Sequence, residues 1–183
     1  MKDQKFKIAL KASDSSHYEQ KVTLRNSEIG HIDEMKYSHE GQNHATELDK
    51  PDPFFKHWHF KTKTKDRRIN ILTIANGDHA GGLTVAELDC ATDHTYVDLF
   101  QNSVKTTLKV ETEHGHGVEH ADISWHPGIG MGKTDLRSDS HGKAVLYVPK
   151  GHLLALEARG HGCRTEMTVD EAYDGQHLTL ICK

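Results

Sequence analysis

The clearest regularity in this chain is a two-residue alternation of apolar and polar positions, repeated in short runs with turn residues between them. Successive side chains of a strand point to opposite sides of a sheet, so this period predicts strands. In 143–148, Ala144, Leu146 and Val148 fall on one side, Val145 and Tyr147 on the other. Asp139-Ser140-His141-Gly142 before it is a turn of short polar residues ending in a glycine that accepts positive φ. Pro149-Lys150-Gly151 stops the strand, because proline lacks a ladder donor. Residues 152–159 resume the alternation, so the two runs read as a hairpin.

The rest of the chain reads in the same way. Phe6, Ile8 and Leu10 alternate with lysines, and 18–25 repeats the pattern with Val22 and Leu24 inward. Residues 30–37 predict a third strand. Residues 39–53 have no periodicity and end in Lys-Pro-Asp-Pro, which reads as a long loop. Residues 54–65 predict an extended run with Phe54, Trp58 and Phe60 on one side and Phe55, His57, His59, Lys61, Lys63 and Lys65 on the other. Residues 69–75 are almost continuously apolar, the pattern of a central strand. Asn76-Gly77-Asp78 is a turn signal, followed by strands at 83–88 and 95–100.

A short polar stretch, 101–103, marks a domain boundary. Beyond it, Val104, Thr106, Leu108 and Val110 form one strand face and Ala121, Ile123 and Trp125 another. Further strands are predicted near 164–169 and over Leu178, Leu180 and Cys182, with a short helical turn in 166–173. The 183 residues suffice for two small sandwiches. The expected fold is all-β: two antiparallel, Ig-like or transthyretin-like β-sandwich domains, 1–101 and 102–183.

Turn chemistry carries a family resemblance in 102–183. The chain has Thr134-Asp135, Asp139-Ser140-His141-Gly142-Lys143, Val148-Pro149-Lys150-Gly151, Ala158-Arg159-Gly160-His161 and Asp174-Gly175-Gln176 in succession. This half resembles the carboxypeptidase regulatory-like, transthyretin-like β-sandwich domains. His161 departs from their pattern, which has an aromatic residue there. The resemblance implies a fold and an accessory, adhesive or assembly role, and it implies no activity. Residues 1–101 resemble no family.

Charge and length narrow the function. A net charge of −4 lacks the basic excess of a nucleic-acid footprint. No run reaches the roughly 18 apolar residues of a membrane helix. The first residues, Met-Lys-Asp-Gln-Lys, show no apolar signal segment. The chain is therefore expected to be soluble, in the cytoplasm or exported without a cleaved signal. The three cysteines, Cys90, Cys163 and Cys182, read first as buried thiols. A bridge, if one forms in an oxidising compartment, joins Cys163 to Cys182 and leaves Cys90 unpaired.

Sixteen histidines spread along the chain raise the question of metal. In His57-Trp58-His59 the two imidazoles share a strand side about 6.5–7 Å apart. With a third ligand from His39 or His44 they would hold Zn²⁺, Cu²⁺ or Ni²⁺. His114-Gly115-His116 and His161-Gly162-Cys163 repeat the spacing, and the plainer reading of all three is solvated histidine on sheet faces. Lys61, Lys63 and Lys65 on the same side disfavour a cation and suit an anion: an acidic glycan, a lipid head group or an acidic protein. The plainer reading of that row is a sheet edge guarded by lysine.

Catalysis finds less. There is no Gly-x-Ser-x-Gly, the glycines of 128–134 lack phosphate-loop spacing, and Cys90 with His94 across a turn is no dyad. The expected function is a non-enzymatic binding or assembly protein with a protein or glycan partner and histidine-bound metal. The alternatives are a metal-dependent enzyme with the 39–53 loop over a His-x-His site, and a structural subunit of a secretion or phage-tail assembly.

Overall fold

The computed structural model describes residues 4–11, 15–26, 29, 34–39, 42–48, 56–61, 68–128, 134–160 and 162–183. They form fifteen strands and, among the described residues, no helix. In chain order these are β1 (Gln4–Lys11), β2 (His17–Arg25), β3 (Glu34–His39), β4 (Gln42–Leu48) and β5 (Lys56–Lys61). Next come β6 (Arg68–Asn76), β7 (Ala80–Asp89), β8 (His94–Asp98), β9 (Ser103–Thr112) and β10 (Asp122–His126). The last are β11 (Thr134–Arg137), β12 (Lys143–Pro149), β13 (Leu154–Gly160), β14 (Cys163–Val169) and β15 (Gln176–Cys182).

The strands build three sheets. A seven-stranded sheet runs β15-β9-β12-β7-β6-β3-β4, and two four-stranded sheets run β5-β1-β2-β8 and β11-β10-β13-β14. The small sheets lie on opposite faces of the large one, as strand parity shows. On β6, Ile69, Ile71 and Ala75 pack with Val22 and Leu24 of β2 and Val97 of β8. Ile74, of opposite parity, packs with Ile123, Trp125 and Leu154. On β12, Tyr147 joins the first core, while Ala144, Leu146 and Val148 join the second. The apolar run 69–75 and the two-sided pattern of 143–148 thus belong to strands covered on both faces.

The large sheet crosses the 101/102 boundary. β12, from the second half, lies parallel to β7, from the first, through Val145↔Ala80, Leu146↔Gly81 and Tyr147↔Gly82. The connection between β8 and β9 is tightly held. Phe100, at φ 67°, is buried and stacks on Tyr147 with ring centroids 4.9 Å apart. Its N–H donates to Thr84 Oγ1 at 2.6 Å. A Cβ on Gly82 would sit 2.6 Å from this ring, so glycine is required where Phe100 seats.

Several expectations are corrected. The sheets are mixed, with parallel pairs β1/β5, β2/β8, β7/β12 and β9/β15. Such pairs arise because the chain changes sheets between strands, as from β14 to β15. For the same reason 143–159 is no hairpin: β12 pairs with β9 and β7, β13 with β10 and β14. Residues 39–53 are not one long loop, since β3 reaches His39 and β4 pairs with it antiparallel. β4 is a polar edge strand held by backbone pairing, so it carries no apolar alternation to betray it. Residues 166–173 hold the end of β14 and a bend in place of a helical turn.

The second core buries Leu108, Val110, Ile123, Trp125, Leu146, Val148, Leu154, Leu156 and Leu180, with Val169 and Leu178 partly buried around it. Cys163 and Cys182 are not thiols but a disulfide, with Cα atoms 4.9 Å apart. It ties β14 of one sheet to β15 of the other. Cys90 is free and buried.

Candidate functional site

The turn between β6 and β7 forms because Gly77 N–H reaches Ala80 C=O at 2.7 Å. It projects Asn76 and His79 toward β11, the edge strand of the second small sheet. Asn76 is buried. Its Nδ2 donates to the Asp135 carbonyl at 3.0 Å, and its Oδ1 accepts from Trp125 Nε1 at 3.3 Å. His79 Nδ1 donates to the Arg137 carbonyl at 3.0 Å, while its own carbonyl accepts from Val145 N–H at 2.9 Å. Asp135 and Arg137 are two residues apart, so both carbonyls point the same way along the edge. Two side chains from the first half therefore occupy edge acceptors of the second. Gly81 makes room for this, since any Cβ there would collide with Asn76 Oδ1.

Beside this clasp lies an open cleft of about 990 Å³, lined by Asp78, His79, His120, Asp122, Asp135, Arg137, Glu157 and Arg159. Part of its charge is paired in place. Arg137 Nε pairs with Asp122 at 3.0 Å, and Ser124 Oγ donates to Asp135. Glu157, largely buried, accepts from Arg159 at 2.7 Å and from Arg164 at 3.2 Å.

Asp139 closes the turn that leads into β12. Its Oδ1 accepts from His141 and Lys143 N–H, each at 2.8 Å. Burial pushes its carboxyl up, but those two bonds, with His141 and His79 nearby, hold it below the usual carboxylate range. Cys90 shows the reverse. Burial and the neighbouring Asp89 push its thiol up to about 11, which leaves almost no thiolate at neutral pH. His94 is no partner to it: its Nε2 is hydrogen-bonded to Thr23 Oγ1 at 2.8 Å and its ring stacks on Tyr96.

The four histidines named as metal ligands fall on two sheets, while His114 and His116 lie in the turn after β9 and His161 is outside the described residues. His57 and His59 lie on β5, the edge of the first small sheet, at register with Lys7 and Ala9 of β1. His39 ends β3, opposite Gln42 and Ile71, and His44 lies on β4, in the large sheet. Lys61 closes β5. Side-chain geometry for these residues, and all of Lys63 and Lys65, falls outside the described residues. Among the described residues no group of three His, Cys, Asp or Glu side chains is placed to hold a metal ion. His161-Gly162-Cys163 is corrected as a ligand motif, since the Cys163 sulfur is committed to the disulfide. The loop that would have lidded an enzyme site is replaced in part by β4.

Sequence reasoning missed the cleft. Its residues come from four separated segments; Asn76-Gly77-Asp78 read as a turn, Asp135 and Arg159 as parts of the turn pattern of the second half, and nothing in the sequence joined them into a site. No helix among the described residues is long and apolar enough to cross a membrane.

No family model matches the chain, and no curated protein does. Solved structures similar to it include the shaft pilin SpaA from Lactobacillus rhamnosus GG, at 9% identity over 98% of this chain and 97% of that one, TM-score 0.36. A streptococcal ancillary pilin matches at 9% identity over 98% and 68%, TM-score 0.35. The Bacillus anthracis TIE protein matches at 11% over 100% and 34%, TM-score 0.32. At these identities and scores, no activity or partner passes from them to this chain.

Proposed function

We propose that this chain is a non-enzymatic structural or binding protein that assembles with other proteins in an oxidising compartment. The observation that carries this is the clasp: Asn76 and His79 join the two halves across a shared sheet and hold the cleft beside them in fixed shape. A wall whose Arg137, Asp122 and Glu157 are already paired is organised for contact. The disulfide supports the compartment, because such bonds persist where thiols are oxidised.

The finer reading of 102–183 as transthyretin-like rests on its turns. Gly142, Gly151 and Gly175 all have positive φ, at 77°, 81° and 76°, as turn glycines of that pattern need. The metal reading of His57, His59, His39 and His44 and the anion reading of Lys61, Lys63 and Lys65 rest on strand alternation. β5 is an edge strand, which favours the lysines as guards against stray pairing.

The test is site-specific photo-crosslinking in the source cells from His120, at the cleft, and from Lys150, away from it. The reading expects discrete protein adducts from His120 alone, abolished by Arg137→Glu. Adducts absent from both sites, or equal at both, would overturn it.

A further inference from the structure

We infer that β15 is an assembly edge at which a second copy of this chain adds antiparallel, extending the seven-stranded sheet across a two-fold axis. This deepens the assembly reading by naming the partner.

β15 ends the large sheet and pairs only with β9, without a bulge, from Gln176↔Thr106 to Cys182↔Thr112. Among the described residues no other backbone group bonds to residues 177–182 on the far side. An edge of this kind offers a row of unpaired N–H and C=O groups. Natural edges are blunted by charge, proline or bulges, and the other sheet ends here follow that rule. β4 carries Glu47, β5 carries Lys56 and Lys61, β8 carries Asp98, and β14 carries Arg164 and Glu166. β11 has its outward carbonyls taken by Asn76 and His79. β15 alone has no Asp, Glu, Lys, Arg or proline in its seven residues, Gln-His-Leu-Thr-Leu-Ile-Cys.

That composition fits a second β15 in particular. With a two-fold through Thr179, Leu178 faces Leu180 of the second copy and His177 faces Ile181, so no like charges meet at neutral pH. Ile181 is 46% exposed and Tyr173, just before the strand, 60%. Ile181, which faces His177 of the second copy, gains cover from it. The edge is also preorganised: the bond from Cys182 to Cys163 pins the end of β15, which would otherwise fray.

The experiment is sedimentation of the full chain at neutral pH, with Thr179→Lys and Thr179→Glu. Thr179 is exposed, so both variants should keep the wild-type circular dichroism. The wild type should dimerise. Each variant should raise the dissociation constant at least about tenfold, because it sets like charges face to face. An equimolar mixture of the two should restore association, since Lys then meets Glu. A monomeric wild type, variants that associate as wild type does, or a mixture no tighter than its components would overturn the inference. The cleft reading would survive such a result, because its crosslinks report on a different face.

Discussion

Trp125 and Asn76 come from opposite halves of the chain, yet Trp125 Nε1 donates to Asn76 Oδ1 at 3.3 Å, both side chains being buried. The indole fills the second core and needs a partner for its one polar atom. The partner sits in the turn that also caps β11. A single side chain thus couples core packing in one half to the turn of the other. Trp125→Ala should cost about 3–5 kcal/mol through the cavity it leaves. Asn76→Ala should cost about 1–3 kcal/mol for the buried Trp125 N–H it strands. Urea unfolding measures both.

Gly82 lies under Phe100, and its missing Cβ is what lets the ring approach. Gly82→Ala should destabilise by about 1–3 kcal/mol, the usual penalty of overpacking. Phe100→Leu, combined with it, should recover part of that loss. Additive costs in the double variant would contradict the contact.

The disulfide closes a segment of sequence separation 19. Loss of its constraint should cost about 3 kcal/mol on the chain-entropy estimate. Thiol titration in denaturant should find Cys90 alone before reduction and all three cysteines after it. In the folded protein Cys90 should react slowly at neutral pH, since burial and Asp89 keep it protonated.

Asp139 has a folded pKa below its ordinary value. A depressed carboxyl adds stability that is fully present above the unfolded value, about 3.9, and is lost as pH falls through the folded one. The stability gap between wild type and Asp139→Asn should therefore shrink as pH falls below about 4. A gap that widens below that pH would show the sign to be wrong.

What could be read in the sequence were strands with an apolar signature on one or both faces. Residues 69–75 announced a central strand, 143–148 a strand without its neighbours, and Ala121, Ile123 and Trp125 one buried face. What could not be read was which strand lies beside which. The parallel seam of β7 and β12 joins residues far apart in sequence, and nothing local to Gly81 or Leu146 specifies it. Polar edges such as β4 were invisible because their residues carry no apolar alternation. The cleft stayed hidden for a related reason: Asp122, Arg137 and Glu157 are ordinary polar positions on strands until the sheets bring them together. Asn76 read as a turn former, and its role as a bridge depends on a tryptophan 49 positions away.

The account stands on the two halves forming one body through the β7–β12 seam and its clasp. Native-state hydrogen exchange resolved by residue tests this most directly, at the amides of residues 80–82 and 145–147. The account predicts protection there equal to that of Ile74 and Leu108 in the flanking strands. Seam amides that exchange fast while those two stay protected would mean that the halves move independently, and would contradict it.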